Sequence, residues 1–128
     1  MLPFDSSRLV AALNDDGEFR VAARLWTGAI RLDSGAEPYL LTMEDGRAID
    51  FEPAIDDDDA ELRIAATPEQ WEQLLAAEPR PFYHDLYAAR TWQGVTFEGD
   101  QERWAPHYPA VRRMLEVMRG LAVARAGG

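Results

Sequence analysis

Gly94-Val95-Thr96-Phe97-Glu98-Gly99-Asp100-Gln101-Glu102-Arg103-Trp104 is the stretch that decides the fold. Val95 and Phe97 fall on one face of an extended chain, and Thr96 and Glu98 on the other. Gly99 stops this strand, and Asp100 opens a helix as its cap. Downstream, Trp104, Tyr108, Val111, Leu115 and Met118 stand at helical spacing. Pro106 and Pro109 interrupt them, which predicts one turn, a break, and a long helix starting near Pro109. The unit is thus one short strand launching the last helical segment.

The same logic runs upstream. Thr67 is a helix cap, Pro68 takes the first helical position, and Gln70 completes a capping box. Trp71, Leu74 and Leu75 form the buried stripe of that helix. Pro79-Arg80-Pro81 breaks the chain, and Phe82, Leu86 and Ala89 predict a second short helix with Tyr83 and Tyr87 beside them. At the amino terminus, Asp5 caps a helix carrying Leu9, Ala12 and Leu13 on one face, with Phe4 stapled to Leu9. Asn14-Asp15-Asp16-Gly17 ends it.

Between these helices the period changes to two. Phe19, Val21, Ala23 and Leu25 alternate with Arg20, Ala22 and Arg24, which predicts a strand. The apolar parity then switches to Ile30 and Leu32, which predicts a bulge or bend at Gly28. Tyr39–Met43 and Arg47–Phe51 flank Glu44-Asp45-Gly46 as a hairpin. Leu62–Ala66 is a fourth strand and Val95–Glu98 a fifth, expected to insert beside an earlier strand and close the sheet. No internal repeat or low-complexity linker is present. The order of elements gives one α+β domain over residues 1–128.

Composition narrows the function. The chain has 128 residues, 47% of them hydrophobic, enough for one domain with a real core. There is no cysteine, which removes disulfides, thiolate metal sites and a thiol nucleophile, and suits a reducing compartment. All 13 basic residues are arginine, so Schiff-base and phosphate-loop lysines are excluded. The net charge of −10 argues against general nucleic-acid binding. It is unevenly placed: residues 103–128 hold five arginines and one acid, Glu116, leaving −14 on the rest. The basic end is read as folding back on an acidic body, its arginines also suiting a helix C-terminus. No apolar run approaches the roughly 20 residues of a membrane span, and the start has no secretory pattern. A cytoplasmic location, without stable membrane insertion, is the expectation.

Several motifs tempt a chemical reading. His84 and Asp85 are adjacent and point in different directions on a helix, so they form no dyad. His107 lies between two prolines. Two histidines without cysteine make a poor zinc set. Asp56–Asp59 lacks the glycine and glutamate spacing of a calcium loop and reads as a solvated turn. Neither a phosphate-binding glycine loop nor a Gly-x-Ser-x-Gly elbow occurs. The expectation is no catalytic residue, no metal and no cofactor.

The element order, the Gly-turn hairpin (Met43–Arg47), the acidic stretch before a strand (Asp56–Ile64), the Thr-Pro-Glu-x-Trp-x-x-Leu-Leu helix and the strand ending Glu98-Gly99-Asp100 together resemble the sterol-carrier-protein-2 (SCP2-like) domain. The resemblance covers roughly residues 17–120. It implies an α+β fold with about five mostly antiparallel strands, covered on one side by helices, with an apolar tunnel between. It also implies a bacterial stand-alone member that carries a lipid, sterol-like or other apolar molecule without chemistry. The cavity lining it suggests is Trp26, Leu40, Phe51, Trp71, Leu75, Phe82, Tyr83, Leu86, Tyr87, Trp92, Val111, Leu115 and Met118. The segment Ala89–Gly94 departs from the family's glycine- and lysine-bearing pattern, and Trp92 would fill part of the tunnel. An accessory scaffold binding a partner protein, as monomer or dimer, is the alternative; a small enzyme using pocket His or Tyr residues is a third.

Overall fold

A computed structural model describes residues 6–54, 60, 62–76, 95–99 and 101–127. Helix α1 spans Ser6–Asp15 and α2 spans Gly17–Ala22. Strands β1 (Gly28–Ser34), β2 (Glu37–Glu44), β3 (Arg47–Pro53) and β4 (Leu62–Ala66) follow, then α3 (Pro68–Leu74), β5 (Thr96–Gly99) and a last helix, α4 (Gln101–Gly127). The fold is α+β, as the order of elements predicts.

The five strands form one open sheet in the order β3-β2-β1-β4-β5. Three neighbouring pairs are antiparallel, and β1 with β4 is parallel. Strand β5 pairs with β4 and ends the sheet at an edge, so the sheet is not closed. Register sets the two faces. Ile30 lies across from Leu41 and Leu62, and Leu32 across from Tyr39 and Ile64, all toward the helices. Arg31, Leu40, Arg63 and Glu98 stand on the opposite face. The Glu44–Arg47 hairpin turns through Asp45 (φ 51°) and Gly46 (φ 79°). Two left-handed residues in a row make the type I′ turn that an Asp-Gly pair favours.

The strand expected at 19–25 is instead α2 and the turn after it. Asp16 caps the helix, its carboxylate accepting the Phe19 N–H at 2.8 Å, and Ala23 N–H donates to Phe19 C=O at 2.8 Å. Phe19 and Ala23, one turn apart, are buried, while Val21 and Leu25 are 63% and 86% exposed. The alternation is real in sequence, but only every second apolar residue points inward, at the i, i+4 spacing of a helix. The parity switch near Gly28 is therefore the change from helix to strand. The irregularity in pairing lies elsewhere: Thr42 faces Asp50 and Met43 faces Ala48, leaving Ile49 as the extra residue of a bulge.

A second correction concerns α4, which is continuous through Pro106 and Pro109. Both prolines are exposed, as are Glu102 and Ala105, whose carbonyls lose their helical donors. Water can reach those carbonyls on the outer face. The inner face, with Trp104, Ala110, Val111, Met114, Leu115 and Met118, stays buried and in helical phase. The predicted caps at Asp5 and Asp100, the Phe4 staple, Asp56–Asp59 and the second short helix lie outside the described residues.

Candidate functional site

The interior is built from five directions. The sheet contributes Ile30, Leu32, Leu41, Met43, Phe51, Leu62 and Ile64; α1 adds Leu9 and Leu13; α2 adds Phe19; α3 adds Trp71 and Leu74, with Leu75 following; α4 adds the residues named above. All belong to one apolar cluster. Among the described residues no buried side-chain nitrogen or oxygen lacks a hydrogen-bond partner. The polar tips of the aromatics are engaged: Trp71 Nε1 donates to Asp33 C=O at 2.7 Å, and Trp104 Nε1 to Glu98 C=O at 3.2 Å. The interior wall therefore offers contact area and shape, with no charge.

Helix α4 closes this interior and is tied down along its length. Trp104 stacks on Phe97 of β5 with ring centroids 4.9 Å apart, and His107 stacks on Trp26 at 4.8 Å. Arg113 forks onto Asp16 of the α2 cap, Nε–Oδ2 at 2.9 Å and Nη2–Oδ1 at 2.8 Å. Arg119 Nε and Nη2 both donate to Leu74 C=O at 3.1 and 2.8 Å, capping the end of α3. The arginine beside Asp16 holds that carboxyl below its ordinary range, and the carboxylate in turn raises Arg113. The basic last helix thus does fold back on acidic groups of the same chain.

The outer face carries a charged row. Asp33, buried, accepts from Arg31 Nε at 2.9 Å and pairs with Arg63, which also reaches Glu98 at 3.2 Å. This stitches β1, β4 and β5 together. Glu37 is held below the usual carboxylate range by the Tyr39 hydroxyl, which donates to it at 3.0 Å. No group of three or more metal-ligating side chains occurs among the described residues, and no described helix is long and apolar enough to cross a membrane.

A concavity lies between α1 and the edge strand β3. At one end they are clamped together: the Asn14 carboxamide accepts from Ala48 N–H and donates to Ala48 C=O, both at 2.9 Å. Beyond the bulge they part, leaving an open groove of about 700 Å³ between Ser6, Ser7, Val10 and Ala11 of α1 and Ile49–Pro53 of β3.

Solved structures of the same shape exist. The chain superimposes on a crystal structure of sterol carrier protein 2 with a TM-score of 0.74 at 18% identity, covering 91% of this chain and 94% of that one. The chain has the SCP2-like fold. A conserved hypothetical protein from Thermus thermophilus matches with a TM-score of 0.66 at 20% identity, over 90% of this chain and 84% of its own. UbiJ-SCP2, a ubiquinone synthesis protein, matches at 0.58 and 15% identity, over 91% and 87%. No family model and no curated protein matches the sequence.

Within this SCP2-like fold the suggested lining residues separate into three groups. Trp26, Phe51, Trp71, Leu75, Val111, Leu115 and Met118 are buried and share the cluster between sheet and helices. Leu40 is half-buried on the outer face, paired across from Arg31, so it stands apart from them. Its neighbour Leu41 takes the inward position, and a Leu-Leu pair gives no sign of which it will be until register is known. Phe82, Tyr83, Leu86, Tyr87 and Trp92 lie outside the described residues. Sequence reasoning missed Phe19, Met43 and Met114 as interior walls. Met114 could have been found, since it follows Val111 by three on the same stripe. Asn14 and the groove had no local signal, because both depend on contacts 34 or more residues apart in sequence.

Proposed function

We propose that this SCP2-like domain binds an apolar small molecule, of lipid or sterol-like character, between the inner sheet face and α3–α4, and carries it without altering it. The single observation that supports this reading is the uncharged wall formed by Trp71, Leu75, Val111, Leu115 and Met118, whose nearby polar atoms already have partners in the protein. A binder of apolar molecules needs burial area and few polar contacts, and gains its affinity from surface removed from water. The likeness to sterol carrier protein 2 supports the same reading. The His107 ring stacks on Trp26, which adds an aromatic contact between α4 and the body of the domain.

The test is native mass spectrometry and organic extraction of the purified protein, followed by titration with a fluorescent fatty acid and a fluorescent sterol. A co-purifying apolar molecule, or saturable binding that Leu115→Trp or Met118→Trp abolishes while the fold persists, supports it. Absence of any such binding by correctly folded protein rejects it.

A second reading has its own support in the likeness to UbiJ-SCP2, a ubiquinone synthesis protein. In it the domain serves as an accessory to enzymes that make an apolar product. A stable complex with a partner enzyme, formed equally by the filled Leu115→Trp variant, would favour that role over carriage.

A further inference from the structure

We propose that Arg119 of α4 is the headgroup anchor of the interior site, and that it selects an apolar chain ending in a carboxylate over a neutral alcohol of the same chain. The proposal rests on the carriage reading above and narrows it to an acid-headed ligand.

The first observation is a missing counter-charge. The described arginines that are half-buried are Arg31, Arg63, Arg113 and Arg119. Arg31 pairs with Asp33, Arg63 with Asp33 and Glu98, and Arg113 with Asp16, Glu18 and Glu116. Arg119 alone of these meets no carboxylate among the described residues. Glu116, three residues before it on α4, is turned to Arg113 at 2.8 Å. The described acceptor of Arg119 is the Leu74 carbonyl, which takes both Nε and Nη2 at 3.1 and 2.8 Å. A carbonyl at a helix end supplies at most about half a charge. Nη1 has no acceptor among the described residues, so it keeps donors for another partner. A cation partly removed from water and held only by a neutral group is one that an incoming anion stabilises.

The second observation is place. Arg119 follows Leu115 by four residues, on the same stripe of α4, and comes directly after Met118. Its guanidinium is fixed at the end of α3, where the buried Leu75 follows Leu74. Leu75, Leu115 and Met118 belong to the uncharged wall. The cation thus stands at the margin of that wall, and a chain lying against the wall can bring its acid end to Nη1. The forked bond to a backbone carbonyl holds the guanidinium in place, so little side-chain freedom is lost when a ligand arrives. A hydroxyl in that position gains an ordinary hydrogen bond, whereas a carboxylate gains a charge-assisted one, roughly twice as strong.

The experiment titrates the full chain with decanoate and with 1-decanol at neutral pH, each below its solubility limit, and follows tryptophan fluorescence. The expected result is saturable binding of both, with decanoate about tenfold tighter. Arg119→Gln should remove that preference by weakening decanoate about tenfold while leaving decanol unchanged. Arg119→Lys keeps the charge and should keep most of the preference. Arg112→Gln removes an exposed arginine of the same helix and should change neither affinity, which controls for the charge of the chain as a whole. If Arg119 served only to cap α3, Arg119→Gln would weaken both ligands alike, and that result overturns the proposal. Equal affinity of the wild type for both ligands, an equal loss in Arg112→Gln, or an Arg119→Lys protein that behaves as Arg119→Gln would also overturn it. Binding of decanol without preference for decanoate leaves carriage standing and removes only the anchor; binding of neither ligand by folded protein rejects both.

Discussion

Arg113 on α4 and Asp16 at the start of α2 meet in a two-pronged ion pair across 97 residues of sequence, at 2.9 and 2.8 Å. The same Asp16 carboxylate caps α2 by accepting the Phe19 N–H at 2.8 Å. One side chain thus both starts a helix and fastens the helix that closes the interior. Asp16→Asn keeps a cap and removes the charge; Asp16→Ala removes both. A cap contributes about 1 kcal/mol and a partly exposed pair about 0.5–1 kcal/mol. Urea denaturation should therefore rank wild type above Asp16→Asn above Asp16→Ala, with a total loss near about 2 kcal/mol. Equal stability of wild type and Asp16→Asn would show that the charge pairing with Arg113 contributes nothing.

The pair also fixes a pH response. Arg113 lowers the Asp16 pKa in the folded state. A group with a depressed folded pKa adds stability that is fully present above its unfolded pKa, about 3.9, and is lost as pH falls through the folded value. The contribution should be flat from neutral pH down to about 5 and decline below about 4. Asp16→Asn should flatten that acid limb without changing the slope near neutrality. Melting curves of both proteins between those limits would show it.

Trp71 offers a cleaner hydrogen-bond test, because its indole lies in the core and its Nε1 reaches the Asp33 carbonyl at 2.7 Å. Trp71→Phe keeps most of the ring and removes the indole donor to that carbonyl, which still faces β4 in the parallel ladder. The expected cost is about 0.5–1.5 kcal/mol for the lost hydrogen bond, plus that of the lost ring area. Trp71→Ala should cost about 3–5 kcal/mol because a cavity is added. A Trp71→Phe protein as stable as wild type would mean that water replaces the indole there.

Much of this was legible in sequence, and what was not has a common cause. The Thr67–Gln70 capping box, the Asp45-Gly46 turn and the alternation from Val95 to Glu98 are local, so local chemistry reveals them. The segment from Phe19 to Leu25 misled because strand and helix periods share the positions i and i+4. The deciding signal is the Asp16 cap, which in sequence fits equally well as the end of the preceding helix. Pro106 and Pro109 misled because their placement three apart on the exposed face shows only when the inner face is known. At the site, the apolar character of Trp71, Val111 and Leu115 was readable; the side on which Leu40 falls was not, since register is a long-range property.

Asn14 is the residue that holds α1 against the sheet edge, through paired bonds to Ala48. Asn14→Asp removes the donor and sets a carboxylate against the Ala48 carbonyl, and Asn14→Ala removes both bonds. Each should lower stability by about 1–3 kcal/mol. The β3 amides near Ala48 should also exchange with solvent faster than those of β1, which is paired on both sides. Hydrogen exchange that quickens uniformly over the sheet would argue against a local clamp.

Two glycines separate backbone strain from helix propensity, with opposite signs expected. Gly46 has φ of +79°, and a Cβ at that position would lie 2.8 Å from Arg24 Cα and 3.0 Å from the Ala23 and Arg24 carbonyl oxygens. Those are backbone atoms of the turn after α2, to which the hairpin is bonded by Gly46 N–H to Trp26 C=O at 3.0 Å. Nothing there can swing aside, so Gly46→Ala should cost about 2–3 kcal/mol or more and disturb the Trp26–His107 stack. Gly120 sits inside α4, exposed, and a Cβ added to it would meet nothing within 4 Å. Alanine there should raise stability by about 0.5–1 kcal/mol through helix propensity alone. Tryptophan fluorescence distinguishes the two further: Gly46→Ala should alter the emission of Trp26, while Gly120→Ala should raise the melting temperature and leave the spectrum as it was.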